Sequence, residues 1–177
     1  MITTLRLMLV PAVVYALFLD DYVSATVLFV AAGLSDGIDG WLARRFKWSS
    51  TVGAWLDAVA DKLMVVSTLL MLAWLGALPW WLAGLLFARD VLMFLAVLLY
   101  RYLAGDVRIA PLLLGKTHVC VLFVTLSLTL AQAAGLAYFE QILPWAFALA
   151  AVTAISSLAL YVRVWGSKLK LQAQARG

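Results

Sequence analysis

Apolar runs of about 20 residues, broken only by short polar punctuation, fill this 177-residue chain from end to end. About six runs of spanning length fit in that length, with little left over. The expected class is therefore all-α: a polytopic helical membrane protein with about six transmembrane helices and no soluble domain. Residues 1–177 are read as one domain ending in a polar tail at 168–177. Against 66% hydrophobic residues there are nine acids, and Asp36, Asp39, Asp57 and Asp61 fall close together among them. An ionised Asp at bilayer depth costs roughly 2.5–3.5 kcal/mol on insertion scales, so four without compensation are not tolerated.

The punctuation places the spans. The first is predicted over about 4–19, ending at Asp20-Asp21, and the second from about Val23 through the Asp36 region to Arg45. The third starts at Ser49-Ser50, which suit helix N-caps, and ends near Leu75-Gly76. Pro79-Trp80-Trp81 opens the fourth, which passes Arg89-Asp90 toward Tyr102. The fifth covers about 112–136 and the sixth about 142–165. Arg6 followed by an apolar run invites a signal-peptide reading, but no small-residue cleavage site precedes Asp20, so a retained first helix is expected. The tail from Lys168 to Gly177 reads as a frayed, solvated end. The single cysteine, Cys120, excludes an internal disulfide and is expected to be a buried thiol.

Lysine and arginine give an orientation. The predicted loops at 20–22, 75–80 and 136–141 hold Asp20, Asp21 and Glu140 and no Lys or Arg. Arg6, Arg44, Arg45, Lys47, Arg101, Arg108, Lys116, Arg163, Lys168, Lys170 and Arg176 fall on the other side. The positive-inside rule then puts both termini and the acidic segment on the cytoplasmic side. Trp80, Trp81, Tyr138 and Trp145 suit the opposite interface. A net charge of +4 with no basic stripe interleaved with exposed aromatics reads as topology and attraction to anionic lipid, not as nucleic-acid binding.

Asp36 and Asp39 are spaced i, i+3, with Gly40 and Ala43 continuing their face; Asp57 and Asp61 are spaced i, i+4, with Gly53 one turn earlier. A helix break at Arg45–Ser49 puts both pairs roughly 12 Å below the turn, at 1.5 Å rise per residue. A tight turn makes the two helices antiparallel neighbours, so the four carboxylates can converge at one depth. Arg44 sits near the turn and Lys62 points a helical step away from Asp61, so neither obviously balances the site. Hard divalent cations do: carboxylate oxygens suit Mg2+, Mn2+ or Ca2+, and the absence of clustered Cys and His argues against zinc. Two such ions sharing four Asp would form the clamp used in phosphoryl chemistry. Gly40, Ala43 and Gly53 leave the same faces bare of bulk, which serves close helix packing or close approach of an anionic group.

These residues resemble the signature of the CDP-alcohol phosphotransferase family, D-x2-D-G-x2-A-R-x8-G-x3-D-x3-D, and all eight fixed positions are met. The order of spans and the length are similar too, so the resemblance covers essentially the whole chain. One departure is Ala58, where many bacterial members have Pro. The resemblance implies an enzyme that moves a phosphatidyl group from CDP-diacylglycerol to an alcohol and releases CMP, in a bacterial inner membrane, with its site facing the cytoplasm. It further implies two divalent cations, Mg2+ or Mn2+, held by Asp36, Asp39 and Asp57. Asp61 would be a ligand or the general base, and Asp39, Gly40, Ala43, Arg44 and Gly53 would line the CDP site. A homodimer is the assembly it suggests.

For the acceptor, Arg89, Arg101, Arg108 and Lys116 form a cationic set that favours an anionic alcohol or phospholipid. An intramembrane Arg usually faces a cavity or a partner. A local Arg89–Asp90 pair is the simpler reading, though adjacent helix residues do not face each other. The stretch from Arg89 to Tyr102, then Leu114-Gly115-Lys116-Thr117, is similar to CMP-forming cardiolipin synthases and favours phosphatidylglycerol. Glycerol-3-phosphate is the alternative, although members using it more often show Arg-Glu here and a further Arg where this chain has Val97. Thr3 and Arg6 match a T-x-x-R start in related enzymes and serve equally as interfacial residues. His118 reads as a hydrogen-bonded interfacial residue, and Met64, Met71 and Met93 as packing. Outside this chemistry, a divalent-cation carrier could use four Asp but would not need Gly40, Ala43, Arg44 and Gly53, and an inactive scaffold would not need four intact Asp.

Overall fold

The computed structural model describes the backbone of residues 2–46, 51–104 and 113–176, and the side chains of 8–35, 59–96, 98, 115–136 and 138–163. Within them the chain is all-helical, with six α-helices and no strand: α1 (Ile2–Phe18), α2 (Tyr22–Phe46), α3 (Thr51–Trp74), α4 (Trp80–Ala104), α5 (Leu113–Ala133) and α6 (Leu143–Arg176). A 3-10 turn at Ala137–Phe139 lies in the loop before α6. Ser49-Ser50, read as caps for the third helix, lie outside the described residues. The frayed end expected at Lys168–Gly177 is not found, since α6 continues to Arg176. Lys, Leu, Gln and Ala all favour helix, and nothing in Lys168–Arg176 breaks it.

Helix ends are set by local chemistry. Asp21 accepts from the Ser24 N–H through Oδ1 at 3.0 Å and from the Ala25 N–H through its carbonyl, which caps α2. Pro79 does the same for α4 with its carbonyl, accepting from the N–H groups of Leu82 and Ala83. At the end of α3, Ala77 N–H reaches Leu72 O at 2.9 Å and Gly76 N–H reaches Ala73 O at 3.2 Å, with Gly76 at φ 76°. Gly135 closes α5 in the same way. Asp20 closes α1 likewise and tolerates the left-handed region at φ 57°, where most side chains are strained.

Packing among the described residues closes a ring. α1 lies between α2 and α3, α4 between α3 and α6, and α5 between α6 and α2, while α3 also touches α5 across the middle. Leu17, Phe29, Leu69, Leu72, Leu82 and Leu126 fill the centre. The Phe29 and Phe123 rings stack with centroids 5.2 Å apart, and Gly33, one turn on from Phe29, lies directly against the Phe123 ring. Large apolar side chains cover the outside: Phe18, Trp74 and Trp145 are each at least three-quarters exposed. Gly115–Ala133 and Leu143–Arg163 are long and apolar enough to cross a membrane, and Met8–Phe18 and Tyr22–Ser35 form shorter apolar helices.

Cys120 is exposed, contrary to the buried thiol expected. It sits on the outer side of α5 beside an open apolar cavity of about 400 Å³ that Val124, Trp145 and Leu149 also line. In a chain whose outside is as apolar as its inside, a small apolar residue carries no signal of which way it faces.

Two outcomes test this packing. Gly33→Val is expected to lower thermal stability in detergent by about 1–3 kcal/mol through overlap with the Phe123 ring, and Phe123→Leu in the same chain should recover part of the loss. Asp21→Ala should lower the melting temperature at pH 7. Hydrogen bonds from Ser24 hold the Asp21 carboxyl below its ordinary 3.8, so its stabilisation is present above that pH and is lost as pH falls through the folded-state value. The gap between Asp21→Ala and the parent should therefore narrow in acid.

Candidate active site

Both carboxylate-bearing stretches are helical. Asp36, Asp39, Gly40, Ala43 and Arg44 occupy the C-terminal part of α2, and Gly53, Asp57 and Asp61 the N-terminal part of α3. The i, i+3 and i, i+4 spacings therefore put each pair on one helical face. The side chains of Asp36 through Asp57 lie outside the described residues, and so does the predicted convergence. Among the described residues no group of three potential metal-ligating side chains occurs. Of the four Asp only Asp61 has a described side chain, and it is partly buried. Asp61 shares a stripe of α3 with Met64, Thr68 and Leu72, all of them buried. It thus belongs to the core-facing side of its helix.

Next to it begins a chain of polar contacts that crosses three helices. Lys62 Nζ on α3 donates to Asp90 Oδ2 on α4 at 2.6 Å. Arg89 Nη1 donates to the other oxygen, Asp90 Oδ1, at 2.7 Å. Arg89 also donates through Nε and Nη2 to Ser157 Oγ on α6, at 3.2 and 3.1 Å. The Ser157 hydroxyl donates a hydrogen bond to the Ala154 carbonyl at 2.9 Å, which leaves its oxygen lone pairs to accept from Arg89. Arg89 is only 5% exposed. Within this set the Asp90 carboxylate is shared by two cations, Lys62 from the half-exposed side and Arg89 from the buried side.

The adjacent Arg89–Asp90 pair thus exists although neighbouring helix residues point apart. The long guanidinium side chain bends back to reach Oδ1 while Lys62 arrives from α3 at Oδ2. Sequence reading missed Lys62 as the partner of Asp90, and it missed Ser157 entirely. A serine in an apolar span has no local pattern that marks it.

His118 is buried between α5 and α6, not interfacial, and its Nδ1 lies 3.1 Å from Thr153 Oγ1. Thr153 donates its hydroxyl proton to the carbonyls of Leu149 and Ala150, at 2.9 and 3.0 Å. The contact joins α5 to α6 in either imidazole tautomer. Nε2 has no partner among the described residues, and Thr68 Oγ1 on α3 and Gln132 Oε1 on α5 share that condition. Of the remaining cations in the predicted set, Lys116 is exposed near the start of α5, Arg101 lies on α4 with its side chain outside the described residues, and Arg108 lies outside them altogether.

A family model described as CDP-alcohol phosphatidyltransferase matches residues 1–165. An Arabidopsis thaliana protein named CDP-diacylglycerol–glycerol-3-phosphate 3-phosphatidyltransferase 2 is 32% identical, over 93% of this chain and 78% of its own. The "Probable phosphatidylglycerophosphate synthase" of Mycobacterium tuberculosis is 38% identical, over 51% of this chain and 46% of its own. The "Probable cardiolipin synthase (CMP-forming)" of Drosophila melanogaster is 31% identical, over 73% and 45%. The matches thus span less than half the length of the latter two relatives.

Removing the central cation should disrupt the layer. Arg89→Ala leaves the partly buried Asp90 carboxylate to Lys62 alone and is expected to destabilise the protein by about 1–3 kcal/mol, read from thermal unfolding in detergent. Arg89→Lys should recover only part of this, because one ammonium cannot serve Asp90 and Ser157 in the same geometry.

Proposed function

The chain belongs to the CDP-alcohol phosphatidyltransferase family, and from that premise we propose that it transfers a phosphatidyl group from CDP-diacylglycerol to an alcohol, releasing CMP, in phospholipid biosynthesis. The observation that carries this reading is the eight-position signature from Asp36 to Asp61, complete within a family match that runs over 1–165. Residues 1–177 act as one catalytic unit. The acceptor hydroxyl oxygen attacks the phosphatidyl phosphorus, and the bond from that phosphorus to the CMP oxygen breaks. Asp61 takes the hydroxyl proton. Gly40, Ala43, Arg44 and Gly53, with Asp39, hold the CDP part against the two helix faces.

The donor set fits hard divalent cations. Asp36, Asp39, Asp57 and Asp61 offer only oxygens, while the one histidine is engaged on Thr153 and the one cysteine faces outward. When bound there, two Mg2+ or Mn2+ ions supply charge neutralisation of the diphosphate and of the departing CMP.

The setting is a membrane crossed by all six helices, with both termini and the carboxylates on the cytoplasmic side, in a bacterial inner membrane. Support comes from the apolar exterior, the polar layer within, and the exposed Trp80, Trp81, Tyr138 and Trp145 at the end of the bundle that carries no Lys or Arg in its loops. A second copy of the chain completes a homodimer. The acceptor is anionic, its phosphate drawn to Lys116, Arg101 and Arg108, while Arg89 is fastened to Asp90 and Ser157. Phosphatidylglycerol is the favoured acceptor, on the similarity of 89–117 to cardiolipin synthases. Glycerol-3-phosphate is the second reading, favoured by the plant relative that aligns with 93% of the chain.

Purified protein in liposomes with CDP-diacylglycerol and Mg2+ or Mn2+ is expected to release CMP, and EDTA to stop it. Asp61→Asn should lower turnover by roughly 10²–10⁴-fold. Divalent flux without CMP release would instead identify a cation carrier. With phosphatidylglycerol, glycerol-3-phosphate, serine and inositol offered in parallel, product is expected from phosphatidylglycerol; product from glycerol-3-phosphate alone establishes the second reading.

A further inference from the structure

The contacts around Asp90 point to a function that the signature does not include. Asp90 lies on α4, outside the carboxylate segment, and its side chain is only 13% exposed. Its two oxygens are divided between helices, one held by Lys62 of α3 and the other by its neighbour Arg89, which is itself tied to Ser157 of α6. Lys62 directly follows Asp61, and successive residues of a helix point about 100° apart at 3.6 residues per turn. A restraint on the direction of Lys62 is therefore a restraint on the rotation of α3 at Asp61.

We propose that Asp90 is a positioning residue: by holding Lys62 it fixes the rotation of α3, and through it the direction of the Asp61 carboxylate. This rests on the reading of Asp61 as a metal ligand or base of the site. A half-exposed lysine on an apolar helix otherwise extends its ammonium toward the nearest polar interface, and its helix is free to follow. Stability alone does not call for ions here, because a well-packed apolar pair joins two helices at least as strongly as a buried ion pair. What an ion pair adds is a single preferred register between α3 and α4. Asp90 in turn cannot swing with Lys62, because Arg89 and Ser157 hold it from the α6 side. The direction of Asp61 is thus referenced to α6, two helices away.

The test compares Asp90→Asn, Lys62→Met, the double variant, Asp90→Glu and Asp61→Asn in the full chain in lipid nanodiscs. Mn2+ affinity is read by electron paramagnetic resonance, with CMP release measured alongside. Residues that orient a ligand are worth roughly 10–100-fold in metal affinity, and Asp90→Asn and Lys62→Met are each expected to weaken Mn2+ binding within that range. The double variant should bind no more weakly than the weaker single, since both break one contact. Asp90→Glu, which keeps the charge, should recover part of the affinity. Parental Mn2+ affinity together with parental CMP release in folded Lys62→Met overturns the proposal, and half-exposed Lys62 allows this measurement even where Asp90→Asn fails to fold. If Asp61→Asn abolishes Mn2+ binding while Lys62→Met does not alter it, only the positioning role of Asp90 fails. If Asp61→Asn both binds Mn2+ and releases CMP like the parent, the reading of Asp61 fails and the proposal with it.

Discussion

A charge or hydroxyl placed inside an apolar bundle has no water to turn to, and most of what distinguishes this interior follows from that shortage. Thr26, Thr125, Ser127 and Thr129 donate hydrogen bonds to carbonyls one turn earlier on their own helices. Arg89 and Asp90 pair as neighbours on α4, and each also reaches another helix, Asp90 to Lys62 of α3 and Arg89 to Ser157 of α6. The same contacts that offset the burial of charge also lock three helices together. In the reading proposed for the Asp segment, this layer lies at the level of Asp61.

The fold was legible because apolar length and punctuation are strong signals. The helices at 22–46, 80–104 and 113–133 begin and end within a few residues of the positions that Asp20-Asp21, Pro79 and the 136–141 loop suggest. The tail departs from the expected frayed end because polarity does not imply disorder: Lys168 to Arg176 consists of residues that favour helix. Cys120 was misread because burial cannot be inferred from apolarity in a chain with an apolar outside. Ring closure through α2–α5 and α4–α6 joins helices distant in sequence, and no local pattern encodes it.

For the candidate site the balance differs. The spacing of Asp36, Asp39, Asp57 and Asp61 names a face on each of two segments, and both segments are helical. What spacing does not contain is the surroundings of Asp61. The contact between Lys62 and Asp90 joins residues 28 positions apart, and Arg89 meets Ser157 across 68. Adjacency rules argued against an Arg89–Asp90 pair, but a third partner on another helix decided the geometry. His118 likewise meets Thr153 across 35 positions, a contact that only the α5–α6 packing reveals.

The central claim is that carboxylates from α2 and α3 converge on divalent cations. Anomalous X-ray scattering at the manganese edge, from crystals of the chain grown with Mn2+ and CDP-diacylglycerol, tests it most directly. Anomalous peaks are predicted within about 2.0–2.2 Å of carboxylate oxygens from Asp36, Asp39, Asp57 and Asp61, with at least one peak shared between the two helices. Manganese bound elsewhere, or contacting one helix alone while CMP is still released, would contradict it.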